Sequence, residues 1–210
     1  MNSNVFVKNY SLTQFDKSEI FRYAGCKEVI TDVEKLVEEC LEECRDVFTY
    51  KVCYCDVSLE VTEDTVDLSF CKAESKALAK NLEECEKAIV FGATVGIEID
   101  RLISKYGRIS PAKSVIMQAI GAERIEALCN RFNEDIKVEY PYLKPRFSPG
   151  YGDCPLSMQK EIFRILDCPR KIGLSLNDSF LMSPSKSVTA IIGILNKDIQ
   201  CNLQVRRNVV

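Results

Sequence analysis

Arg146 carries the clearest chemical potential in this sequence, because of the segment around it. Residues 141–155 read Pro-Tyr-Leu-Lys-Pro-Arg-Phe-Ser-Pro-Gly-Tyr-Gly-Asp-Cys-Pro, which gathers four of the chain's seven prolines and two of its nine glycines. Such a stretch cannot run as a regular helix or a central strand. Its prolines stiffen it, its glycines let backbone approach a ligand closely, and the guanidinium offers a fixed fork of donors. That combination suits capture of a carboxylate or phosphate, with Phe147 and Tyr151 able to stack or to face a cation. A rigid loop bearing a surface arginine has the same composition, and the residues alone leave both readings open.

Other chemistries are narrower. Histidine is absent, so histidine-dependent serine triads, Cys–His dyads and His-ligated metal sites cannot be built within this chain. The eleven cysteines contain no CxxC pair. Cys40 and Cys44 share the apolar face of a helical pattern, and Cys53-x-Cys55 is the next closest cluster. They read as small core residues with free thiols, and no metal is expected. Gly92-Ala-Thr-Val-Gly96 follows a short apolar run and precedes a helical pattern. It lacks both the G-x-G-x-x-G and the Walker A spacing, so it reads as a tight turn.

These residues need elements to position them. Asp16-Lys-Ser-Glu19 reads as a capping box for a short helix ended by Gly25. Between residues 32 and 48, Val33, Leu36, Val37, Cys40, Leu41, Cys44, Val47 and Phe48 recur at helical spacing. Alternation at Tyr50, Val52, Tyr54, then Val57, Leu59, Val61, and then Val66, Leu68, Phe70 predicts β-segments joined near Glu63-Asp64. Residues 75–85 read as helical through Leu78, Leu82 and Cys85. Ala88–Phe91 reads as a buried strand, followed by a helix carrying Ile99, Leu102, Ile103 and Tyr106. Ser110-Pro111 opens a long helix over 111–137, with Glu126 near its apolar stripe. The expected fold class is therefore α+β: a largely antiparallel sheet, including Val188–Ile194, covered by several helices.

The whole 210-residue chain, 46% hydrophobic and 28% charged, reads as a single domain with residues 1–15 as an N-terminal arm. With 28 basic against 31 acidic residues, the near balance predicts neither nucleic acid nor a membrane surface as partner. The first fifteen residues hold no apolar signal core and no later run approaches a membrane span, so a cytoplasmic location is expected.

Arg146-Phe-Ser-Pro-Gly-Tyr-Gly-Asp-Cys-Pro155 resembles the Arg-x-x-Pro-Gly-Tyr-x-x-Cys-Pro segment of the activation (reactivation) domain of cobalamin-dependent methionine synthase. Ile172–Met182 is similar to that family's Gly-x-x-Leu-Thr-Glu-Ser-x-x-Met stretch, and Ser187-Val-Thr-Ala190 to its Ser-Val-Ser-Gly strand. Phe21–Gly25 and the Phe91–Asp100 passage look like the short stand-alone versions found as separate subunits. Where the family has paired tyrosines, this chain has Gln200-Cys201.

The resemblance implies binding of S-adenosylmethionine for reductive remethylation of oxidised cob(II)alamin. Arg146 would hold the ligand carboxylate, Ser148, Gly150 and Tyr151 would form the adjoining wall, and Glu126 would match an acidic position. Cobalamin modules of this family use a histidine ligand, so cobalamin is expected on a partner methionine synthase subunit, with a separate electron-donor protein. No turnover is expected from the chain alone. The competing readings are a ligand-binding or scaffolding module of the same fold, and a self-contained methyltransferase, which the missing glycine-rich nucleotide loop disfavours.

Overall fold

A computed structural model describes residues 4–26, 28 and 30–195. Its centre is a four-stranded antiparallel sheet in the order β1(Phe6–Tyr10), β2(Tyr50–Ser58), β6(Cys85–Thr94), β9(Ser187–Leu195). Because side chains alternate along a strand, the sheet feeds two cores. Tyr50, Val52, Ile89, Phe91, Ala190 and Ile192 face one side, where they pack on α1(Lys17–Tyr23), α2(Thr31–Cys44), α4(Glu98–Ile109) and α5(Pro111–Glu139). Cys53, Cys55, Val57, Ala88, Val90 and Ile191 face the other. There they meet α3(Lys76–Asn81), α6(Gln159–Leu166), α7(Cys168–Ile172) and a small sheet of β3(Glu60–Val61), β4(Thr65–Asp67) and β5(Lys72–Glu74). A short hairpin, β7(Ser175–Leu176) and β8(Met182–Ser183), precedes β9. The α+β class and antiparallel sheet are as expected, and part of the N-terminal arm supplies the edge strand β1.

Local chemistry explains most boundaries. Asp16 caps α1 by accepting from the Ser18 and Glu19 amides, and Gly25 (φ +76°) closes it, with Gly25 N–H on Arg22 C=O and Cys26 N–H on Phe21 C=O. That closing pair of bonds is a Schellman motif. The capping box itself is incomplete: Glu19 turns to Arg22, and the Asp16 amide donates instead to Glu123 Oε1 at 3.3 Å. The helical pattern over 75–85 is also corrected. Ser75 caps α3, which ends at Asn81, Glu84 takes a left-handed φ of 67°, and Cys85 begins β6. The turn expected at Gly92–Gly96 is mostly strand: Gly92, Ala93 and Thr94 are paired with both β2 and β9. Only Gly96 (φ +89°) adopts a turn conformation, where a Cβ would lie 2.3 Å from Thr49 Oγ1.

Candidate functional site

The proline-rich segment is a distorted extra strand along the free edge of β9. Lys144 N–H donates to Gly193 C=O, and Phe147 and Ile191 exchange both backbone bonds. Leu143 pairs with Ile194 and Phe147 with Ile191, so four steps on one chain oppose three on the other. The extra residue makes a bulge around Pro145, whose nitrogen has no proton to give. A bulge shifts the in–out alternation by one. Leu143 therefore joins the α5-side core while Phe147 enters the opposite core, and Arg146 turns toward α5.

On α5, Glu126 and Asn130 stand four residues apart, on one helix face. Glu126 Oε2 accepts from Arg146 Nη2 at 2.9 Å and Asn130 Oδ1 from Nη1 at 3.0 Å. The Arg146 side chain is 22% exposed and that of Glu126 43%, so the fork is held in place yet reaches solvent. Cys129, between the two acceptors, is buried, and burial pushes its thiol up to about 12, which leaves it unreactive near neutral pH.

Beyond Arg146 the chain folds into a compact double turn. Tyr151 N–H bonds Ser148 C=O with Pro149 and Gly150 (φ +88°) between them, the arrangement of a type II turn. Cys154 N–H then bonds Tyr151 C=O, and Gly150 N–H bonds Cys154 C=O. Asp153 clamps this turn to the start of α3: its carboxylate accepts from Ser75 Oγ at 2.5 Å and the Lys76 and Ala77 amides at 2.8 and 3.1 Å. Those bonds, led by the Ser75 hydroxyl, hold the Asp153 carboxyl below the usual range. Gly152 (φ +60°) lies so close to α3 that a Cβ would sit 2.9 Å from Ala77 Cβ. Tyr151, exposed, meets Phe147 edge-on at 5.7 Å. With Ala77, Lys80, Asn81, Lys144 and Pro145, these rings line a groove of about 450 Å³.

Of the residues singled out from the sequence, Arg146 and Glu126 are thus in direct contact, and Ser148, Gly150 and Tyr151 form the adjoining turn. Gln200-Cys201 lies outside the described residues. Sequence reasoning missed Asn130 and Asp153. It also missed Glu123 and Arg124, an adjacent buried ion pair on α5 in which both guanidinium bonds reach the one carboxylate. The signal was available, since positions three and four after Ile120 fall on the helix's apolar stripe. Arg124 also lies over the Phe15 ring at 4.2 Å, fastening the N-terminal segment to α5. No group of histidine, cysteine, aspartate or glutamate suited to a metal occurs among the described residues. No described helix is long and apolar enough to cross a membrane.

A central antiparallel sheet with a long covering helix and a clamped proline–glycine turn defines an architecture already seen. The fold is similar to a solved structure described as the MetH reactivation domain bound to AdoHcy. The TM-score is 0.70 at 14% identity, over 93% of this chain and 80% of that one. Comparison with curated proteins gives no match. The family model for the vitamin B12-dependent methionine synthase activation domain matches residues 71–198, more than half of the chain. The chain belongs to that family.

Proposed function

We propose that this chain is an activation subunit that binds S-adenosylmethionine and presents it to cobalamin carried by a partner methionine synthase chain. The observation that carries the reading is the Arg146–Glu126 pair at 2.9 Å beside the 148–154 turn. The head group of an amino acid is a zwitterion: a guanidinium complements its carboxylate, and a carboxylate complements its ammonium. The donor set therefore fits the methionine end of the ligand. Family membership and the AdoHcy-bound neighbour of the same fold support the same assignment.

In this reading Arg146 grips the carboxylate, Glu126 faces the ammonium, and Asn130 keeps the fork in plane. Ser148, Gly150 and Tyr151 wall the ligand with backbone and ring. S-adenosylmethionine, when bound, would supply an electrophilic methyl group for reduced cobalamin on the partner chain and leave as S-adenosylhomocysteine, with the reducing electron coming from a separate donor protein. The chain contributes binding and presentation and does not turn over alone. The absence of histidine fits a cobalt ligand supplied by another chain, and the setting is cytoplasmic.

One observation favours a second reading. Arg146 already has two acceptors on α5, as a scaffolding module of the same fold without S-adenosylmethionine activity would require. Calorimetric titration of S-adenosylmethionine into the purified chain separates the two. Saturable binding at one site supports the activation subunit, and no heat up to millimolar ligand supports the scaffold. Recovery of a cobalamin protein with the tagged chain from native extract tests the partner.

A further inference from the structure

We propose that Cys53 and Cys168 are an oxidisable pair, converted by a peroxide into a buried disulfide that staples α7 to the central sheet. This inference is independent of the S-adenosylmethionine reading. The two sulfurs lie 3.8 Å apart in the only thiol–thiol hydrogen bond among the described residues. Both residues are fully buried. The space they share exists because Gly92, the register partner of Cys53, has no side chain. A Cβ there would lie 3.1 Å from Cys168 Sγ and 3.6 Å from Cys53 Sγ.

Other buried cysteines are placed differently. Cys44 meets the Met117 thioether at 3.1 Å and Cys154 that of Met158 at 3.8 Å, and a thioether cannot form a disulfide. Burial pushes the thiols of Cys44 and Cys55 up to about 12. Cys53 departs from that trend. Either thiol can donate in the bond they share, which favours a thiolate on the accepting sulfur, and the Lys171 charge favours the thiolate at Cys53. In the proposed step Cys53 acts as the nucleophile and Cys168 as the resolving thiol.

Bond formation needs the sulfurs to close to about 2.05 Å. The element that moves is α7, five residues bracketed by left-handed conformations at Asp167 (φ 50°) and Gly173 (φ 71°). So short a helix, hinged at both ends, also gives an oxidant access by local opening. The chemistry balances. The Cys53 thiolate attacks hydrogen peroxide, the O–O bond breaks, and hydroxide leaves to give a sulfenic acid. Cys168 then attacks the sulfenyl sulfur, and the hydroxyl departs as water with the proton of the second thiol. Two thiols and one peroxide give one disulfide and two waters.

The test treats the reduced full chain with hydrogen peroxide under native conditions, followed by intact-mass measurement and peptide mapping. The expected result is loss of two hydrogen atoms with the Cys53–Cys168 peptide as the dominant linked species, reversed by dithiothreitol. Cys53→Ser and Cys168→Ser should each abolish that species. The wild-type map decides the matter even if a variant folds poorly. Oxidation of Cys53 to sulfinic acid without a link overturns the proposal, as does a linked peptide joining other cysteines while this pair stays reduced.

Discussion

Truncating Arg146 to alanine separates what the guanidinium does for the fold from what it does for a ligand. In the folded chain it bonds Glu126 at 2.9 Å and Asn130 at 3.0 Å. Because the Glu126 side chain is 43% exposed, screening limits the ion pair to about 1 kcal/mol or less. The bond to the neutral Asn130 amide adds about 1 kcal/mol. Arg146→Ala should therefore cost about 1–2 kcal/mol of stability, a fall of roughly 2–8 °C in thermal midpoint for a domain of this size. The ligand effect is larger. Leaving a desolvated carboxylate without its charged partner costs about 2–5 kcal/mol, or roughly 30-fold to several-thousand-fold in affinity. Arg146→Lys should recover only part, since an ammonium keeps the charge and loses the planar fork. Decarboxylated S-adenosylmethionine supplies the control, because it lacks the group that Arg146 would hold. Calorimetry of both ligands on wild type and both variants, beside thermal melts, reads every term. Unchanged affinity for S-adenosylmethionine in Arg146→Ala refutes the assignment, and so does an equal loss for the decarboxylated ligand.

Three other perturbations test the scaffold. Gly152→Ala puts a Cβ at φ +60°, 2.9 Å from a rigid Ala77 methyl, whereas at Gly150 the nearest atom is the mobile Leu156 Cδ1 at 3.0 Å. Urea unfolding should show about 2–3 kcal/mol lost for Gly152→Ala and less for Gly150→Ala, and the reverse order would contradict the clamp. For Asp153, a folded pKa held below the usual value means that its contribution is complete above about pH 4 and is lost as pH falls through the folded pKa. The midpoint gap between wild type and Asp153→Asn should thus narrow steadily below about pH 4, and a constant gap would exclude the carboxylate as its source. Removing one partner of the buried Glu123–Arg124 pair, as in Glu123→Gln, should cost about 3–5 kcal/mol in denaturant unfolding, with much of it restored when Arg124→Met is added. A single-variant loss under about 1 kcal/mol would contradict the burial assigned to the pair.

How much of this was legible in the sequence depends on whether a feature is local. The stripe of α2 and the Ser110-Pro111 start of α5 are local, and both appear in the structure, although α2 ends at Cys44 and leaves Val47 and Phe48, which continue the period, beyond the helix. The error over 75–85 is instructive, because Leu78, Leu82 and Cys85 satisfy a helical period. Leu82 and Cys85 are instead buried across a left-handed residue, Glu84, that ends one element before the next begins. Gly92 and Ala93 are weak strand formers, yet pairing on both edges of β6 overrides their propensity. The role of Asn130 was beyond reach, since it depends on the bulge at Pro145 that rotates Arg146 toward α5.

Under the proposed function, that rotation would give the site its selectivity. An arginine free on a loop loses rotamer freedom when it binds, whereas here Glu126 and Asn130 have already fixed the fork, so part of the ordering cost is met in folding. The same carboxylate would repel a simple anion brought to the guanidinium. Phosphate, which the composition of the loop alone allowed as readily as a carboxylate, is thereby disfavoured. A zwitterionic head group avoids the conflict, because its ammonium faces Glu126 while its carboxylate faces Arg146. Pairing between Arg146 and Glu126 would then be compatible with ligand capture, and it would narrow the proposed ligand class from any small anion to an amino-acid end.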